Sequence, residues 1–217
     1  LSSPTSSAVS RRALLAGAAL LLVVPRARAA TGIGEVEFVH QWANRIDASG
    51  EATGLYVDDP VHFDETVATV PQGALHMRFL DDSELRLGSD CRVRLDEFVY
   101  DPGQPAAGKM VAEVGKGIAR FVTGKIKQRF QVRTPVASIG VRGTDFSVWV
   151  EDQRGGRTTI WVNEGSIVVT PAGGQAVEVA QDSTVLIEPG SGTVQQNAPR
   201  PPGDPGLSPR LRLRPNR

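Results

Sequence analysis

The chain has 217 residues, 24 Lys and Arg against 24 Asp and Glu, and one cysteine, which is room for a single ordinary domain plus ends. The neutral total hides an uneven spread: residues 30–196 carry 15 basic and 23 acidic groups, a net of −8, whereas residues 1–29 carry four arginines and no acid. An acidic body argues against nucleic acid as a partner, because counterion release requires a basic surface, and a single cysteine excludes a disulfide within the chain.

The first element in chain order is an export signal. Arg11-Arg12 precedes an uncharged apolar run from Ala13 to Val24, Pro25 ends the run, and Ala27-Arg28-Ala29 is a small-x-small cleavage pattern. The run falls short of the about 20 residues a membrane span needs. The paired arginines, with Arg26 and Arg28 behind the apolar run, favour the twin-arginine route. The expectation is a signal peptide over 1–29, cleavage after Ala29, a periplasmic location, and no membrane span in the cleaved protein.

Residues 30–196 are dominated by alternation of apolar and polar residues, the mark of half-buried strands. Val36 and Phe38 open the series. Leu75, Met77 and Phe79 follow, then Leu85 and Leu87, Val93 and Leu95, Phe130 and Val132, and Phe146, Val148 and Val150. Ile160 and Val162, Ile167 and Val169, Val177 and Val179, and Val185 and Ile187 complete it. Asp58-Asp59-Pro60, Asp81-Asp82-Ser83, Asp101-Pro102-Gly103, Gly155-Gly156, Asn163-Glu164-Gly165 and Gly173-Gly174 supply turn chemistry between these runs. Gly103 to Gly117 reads as a loop running into a strand. The predicted fold is all-β: one domain of short consecutive strands, as a sandwich or a solenoid-like roll. Cys91 shares a face with Val93 and Leu95 and reads as a small buried residue rather than a reactive thiol. Residues 197–217, rich in Pro and Arg, read as a disordered tail. The arginines of Arg210-Leu211-Arg212-Leu213-Arg214 suit an anionic envelope polymer or a sheet edge.

The segment from Phe130 to Val148, FQVRTPVASIGVRGTDFSV, closely resembles the signature of the FecR periplasmic domain family: a strand ending in Thr134-Pro135, then Val141-Arg142-Gly143-Thr144 and an apolar strand carrying Phe146. Gly34-Glu35-Val36, Asp64 to Thr69, Leu80 to Leu85 and Asn163 to Val169 resemble further family blocks in order, about three quarters of the chain in all. Asp82 stands where the family prefers Gly, a position an Asp tolerates better than most residues. Pro135 ends a strand and pushes Thr134 to extended geometry. Gly140 and Gly143 offer backbone freedom, Thr144 can bond nearby backbone, and Phe146 returns the chain to the core. A shaped corner is the simpler reading of Thr134, Pro135, Arg142, Gly143, Thr144 and Phe146. The resemblance implies the solenoid-like form and a sensor role. In that family a cytoplasmic helical segment controls a sigma factor, one span crosses the membrane, and the periplasmic domain hears an outer-membrane transporter. Only ten Ser-rich residues precede Arg11, so the expectation is a signalling module without its own anti-sigma segment.

No catalytic pattern stands out, and no cofactor or metal is implied. His40, His62 and His76 lack metal-ligand spacing, and Cys91 has no cysteine partner. His76 lies on the polar face of its strand and reads as solvated. Gly117 to Lys125 has a distant likeness to a phosphate loop, with Ile126 where Ser or Thr is required. Asp81-Asp82-Ser83 reads as a solvated turn rather than a calcium site. Trp149 and Trp161 are out of phase with the apolar faces of their strands, which would place both indoles outside as a contact surface. The functional expectation is a non-catalytic periplasmic binding or signalling module. The alternative is an envelope structural or carbohydrate-binding protein. In either case the partner is an envelope protein or polysaccharide.

Overall fold

The computed structural model describes residues 32–200, so the predicted signal peptide and all but the first four residues of the tail lie outside the described residues. The chain forms β1 (Gly34–His40), β2 (Ala43–Ile46), β3 (Ala52–Gly54), β4 (Pro60–Val61), β5 (Glu65–Thr69), β6 (Ala74–Phe79), β7 (Glu84–Leu87), β8 (Arg92–Val99) and the long β9 (Lys109–Val122). It continues as β10 (Phe130–Arg133), β11 (Ala137–Val141), β12 (Asp145–Glu151), β13 (Arg157–Glu164), β14 (Ser166–Pro171), β15 (Val177–Ala180), β16 (Thr184–Ile187) and β17 (Gln195–Gln196). The helical pieces among the described residues are two 3-10 turns, Pro105–Ala107 and Asp152–Arg154. The fold is all-β and a single domain, as the alternation predicts.

Two layers share one strand. The first runs β4-β1-β6-β7-β9-β12-β13-β16-β17 and the second β3-β2-β5-β8-β9-β10-β11-β14-β15. The early part of β9 pairs with β8 and, in parallel, with β10; its later part pairs with β7 and β12. The crossing falls at Gly117, with φ +81° and no room for a Cβ, which would stand 2.5 Å from the Cα of Cys91. Glycine alone combines that backbone with that approach. After β9 the hairpins alternate between layers: β10–β11 in the second, β12–β13 in the first, β14–β15 in the second, β16–β17 in the first. The chain therefore winds as a roll while its layers face each other as in a sandwich.

The core lies between the layers. Met77, Leu85, Phe121 and Val148 from the first join Val67, Val93, Val132 and Ile139 from the second in one buried cluster. Phe121 stacks on Phe146 with centroids 5.4 Å apart and meets Phe130 of the other layer edge-on at 5.8 Å. Full burial of such a side chain contributes about 1.5–3 kcal/mol. Cys91 is fully buried among these groups, and burial pushes its thiol pKa well up.

Some local expectations need correction. The pairing of β1 with β6 slips between Val36 and Phe38: Val36 lies opposite Met77, but Phe38 lies opposite His76. Glu37 is the extra residue of a bulge, so Val36 and Val39 face the core and Phe38 does not share their face. Gly140 sits inside β11 without a positive φ, whereas Gly143 has φ +66°. Asp82 takes the left-handed position at φ +64°, as its turn requires.

Candidate functional site

The family-like signature forms two corners. At the first, the Thr134 Oγ1 accepts hydrogen bonds from the amides of Ala137 at 3.1 Å and Val136 at 3.4 Å, and from the Thr158 hydroxyl at 3.2 Å. Pro135 packs on the Gly155-Gly156 turn, where a Cβ on Gly156 would stand 2.5 Å from the Pro135 Cβ. At the second, Thr144 donates through Oγ1 to the Ser166 carbonyl at 2.8 Å and through its amide to Thr123 Oγ1 at 2.7 Å. It thereby ties the end of β9 and the starts of β12 and β14 together. Phe146 is fully buried in the aromatic stack. Arg142 is exposed and has no ion pair among the described residues. Thr134, Thr144 and Phe146 are thus taken up by bonds and packing inside the fold, whereas Pro135 is exposed.

The segment with a distant phosphate-loop likeness binds the protein's own carboxyl. Asp81 is 0% exposed. Its Oδ2 accepts from the Ser83 hydroxyl at 2.6 Å and the Ile126 amide at 3.2 Å, and its Oδ1 accepts from the Ser83 amide at 3.2 Å. The Gly124 amide donates to Ser83 Oγ at 2.9 Å, and the Lys125 amide to the Asp81 carbonyl at 2.7 Å. The turn read as solvated is therefore buried at Asp81. Only Asp82 faces water, paired with Lys125 at 2.7 Å.

His76 also departs from its expected solvated state. Its side chain is 13% exposed and clamped between carboxylates: Nδ1 lies 3.2 Å from Glu37 and Nε2 3.1 Å from Glu84. Arg78 bonds to Glu37 and lies 3.0 Å from Glu84, and Arg86 lies 2.6 Å from Glu84. Burial and the Arg86 charge lower the His76 pKa, against the opposing pull of Glu37 and Glu84. Burial alone would raise the Glu84 pKa, but Arg86, His76 and Arg78 hold it below the usual carboxylate range. Sequence reasoning missed this network because its members come from β1, β6 and β7, and only the pairing of those strands brings them together. Among the described residues there is no group of His, Cys, Asp and Glu that would hold a metal, and no helix long and apolar enough to cross a membrane.

The two tryptophans part company. Trp161 is 0% exposed, so it is not part of an accessible surface. It lies in β13 between β12 and β16, where Thr158 to Val162 are all buried because both faces of the strand are covered. Trp149 is half-buried and stands between two clefts. One, of about 230 Å³, is lined by Glu151, Arg154, Arg157, Thr159 and Leu186. The other, of about 290 Å³, is lined by Ser89, Asp90, Lys116, Asp152 and Gln153. The second cleft opens beside Gly117, where β9 leaves one layer for the other. The cations here are paired: Lys116 with Asp90 at 2.7 Å, Arg154 with Glu151 at 3.3 Å, and Arg157 with Glu188 at 3.1 Å. Of the signature and contact residues singled out in the sequence, Pro135 and Arg142 have exposed side chains, and Thr134 and Trp149 half-buried ones.

Comparison with known proteins bears on the central part of the chain. Two crystal structures of a protein from Parabacteroides distasonis described as a "putative anti-sigma factor", at 1.65 and 2.50 Å resolution, are similar at 17% identity with a TM-score of 0.49. The similarity covers 60% of this chain and 58% of that one, so the chain spans less than two thirds of that protein's length. No curated protein matches. The family model described as FecR protein matches residues 65–168, from the first residue of β5 into β14. The match leaves the resemblance at Gly34-Glu35-Val36 outside it and takes in both corners of the signature. Residues 65–168, just under half of the chain, are thus where its match to the FecR protein family lies.

Proposed function

We propose that this protein is a non-catalytic sensing module of the bacterial cell envelope, exported to the periplasm, where it binds an envelope protein or polysaccharide and passes that state on to a signalling partner. The FecR match over residues 65–168 carries this reading. The Arg11-Arg12 pair and the apolar run behind it support export. The signature corners support a scaffold role, because their side chains hold strands together and leave recognition to the surface. The arginines of residues 200–217 suit contact with anionic envelope polymers.

The test combines location with output. The full chain expressed in its host should fractionate with the periplasm, and the Arg11→Lys, Arg12→Lys double variant should remain in the cytoplasm. Deleting the gene should change the transcript level of a discrete gene set, restored by the full chain and not by the retained variant. An unchanged transcript profile on deletion would remove the signalling role, and a protein found only in the cytoplasm would remove the periplasmic one.

A further inference from the structure

The geometry around Trp149 points to a binding site for a neutral glycan chain, and we propose that one sugar ring lies on the indole while its neighbours enter the clefts on either side. Four observations lead there. The indole is accessible on the outer side of β12, and its two flanks are concave, so a ligand can straddle it. At about 230 and 290 Å³, each cleft is smaller than the about 300–1,000 Å³ of a pocket that engulfs a drug-sized ligand. Each suits one ring-sized unit, and a ligand using both must extend across Trp149.

The charge balance selects the chemistry. Lys116, Arg154 and Arg157 face Asp90, Glu151, Asp152 and Glu188, and each of the three cations already has a carboxylate partner. A phosphate or uronate would have to displace those partners and would meet a surface with one acid in excess. A cation would find Asp90, Glu151 and Glu188 occupied in the same way. A polyhydroxylated neutral chain needs no such exchange, because hydroxyls can donate to the carboxylates and accept from the guanidinium groups and the Gln153 amide without breaking an ion pair. An aromatic ring with an apolar face and a polar rim suits the C–H face of a pyranose. The apolar lining is Trp149, Val150, Leu186, Ala198 and Pro199, too little for the about 800 Å² per partner of an ordinary protein interface. That favours a glycan over a protein at this position.

This inference goes beyond the signalling reading and is tested apart from it. The full chain carrying Trp42→Phe, which removes an indole that is 63% exposed, is titrated with neutral hexasaccharides: cellohexaose, laminarihexaose, maltohexaose and chitohexaose. Hexagalacturonate is the anionic contrast; isothermal titration calorimetry reads the affinity of every variant, and tryptophan fluorescence reports the change at Trp149 where that residue is kept. At least one neutral hexasaccharide should give a saturable change that persists at high salt. Trp149→Ala should weaken it by about tenfold or more, and Arg154→Ala, a side chain 60% exposed, by several-fold. The same titration without residues 201–217 should give the same affinity. If Trp149→Ala fails to fold, as judged by circular dichroism, the Arg154→Ala result decides. Binding by none of the neutral sugars, binding by hexagalacturonate alone, loss of binding with the tail, or affinity unchanged in Trp149→Ala and Arg154→Ala would overturn the proposal. Failure here leaves the transcript test of the signalling role untouched, and the reverse also holds.

Discussion

Asp81 and Asp82 are adjacent acids in one turn, and the structure predicts opposite consequences for their removal. Asp81→Ala deletes the acceptor for the Ser83 amide, the Ser83 hydroxyl and the Ile126 amide. Ile126 is 1% exposed, so water cannot replace the lost partner without opening the turn. A buried polar group left unsatisfied costs about 1–3 kcal/mol. With the Ile126 amide stranded and the Ser83 groups partly so, the expected loss is about 3 kcal/mol. For a domain of this size that corresponds to a fall in Tm of roughly 6–12 °C, at about 2–4 °C per kcal/mol. Asp82→Asn removes only the charge of a solvent-exposed ion pair with Lys125 and keeps a residue that tolerates the left-handed backbone at φ +64°, so its unfolding midpoint should match the parent. Urea unfolding of the two variants beside the parent measures both, with m unchanged because the surface exposed on unfolding is the same. Equal midpoints for the two variants, or Asp81→Ala within about 0.5 kcal/mol of the parent, would refute the buried-carboxyl account of this corner.

Phe146→Ala should cost about 3–5 kcal/mol, since it empties the stack between Phe121 and the rest of the core; a midpoint in urea close to that of the parent would contradict its packing role. Stability should fall as pH drops below about 6.5, the ordinary histidine value, because the His76 pKa is lowered on folding and the unfolded chain then binds the extra proton. His76→Gln should flatten that part of the profile, while a parent that gains stability from pH 7 to 6 would show that Glu37 and Glu84 outweigh burial. The Cys91 thiol, fully buried and with its pKa raised by that burial, should react with a thiol reagent only as fast as the domain opens. Rapid stoichiometric labelling of the folded protein would contradict its burial. Gly117→Ala should destabilise by about 1–3 kcal/mol, because a Cβ there meets Cys91 at a left-handed backbone position; an unfolding midpoint equal to that of the parent would refute the tight crossing.

Much of the fold was open to reading from local pattern. Leu75, Met77 and Phe79, or Phe146, Val148 and Val150, alternate in the sequence and do line the core. Thr134-Pro135 follows the end of β10, and Gly143-Thr144 precedes the start of β12. The bulge at Glu37 was invisible because Val36, Phe38 and Val39 are all apolar and either phase fits the pattern. The strands β2 and β3 have too few apolar residues to announce themselves. For the site, Trp149 was found by phase alone, but its clefts come from Ser89, Asp90 and Lys116, which are brought there from distant positions in the chain.

What the sequence determined by itself is the all-β class, the position of most strands, and which face of each turns inward, since alternation and turn residues act over a few positions. What only the tertiary structure decided is the fate of the other face. Trp161 and Trp149 have the same phase relative to their apolar neighbours, yet one is sealed and the other stands between two clefts. Asp81 and Asp82 are neighbours, yet one is buried and the other exposed. The reason is physical: burial of an outward face depends on what distant segments lay across it. Residues 124–126 reach Asp81, and Glu37 reaches His76, contacts set by chain segments tens of residues apart that no local pattern records.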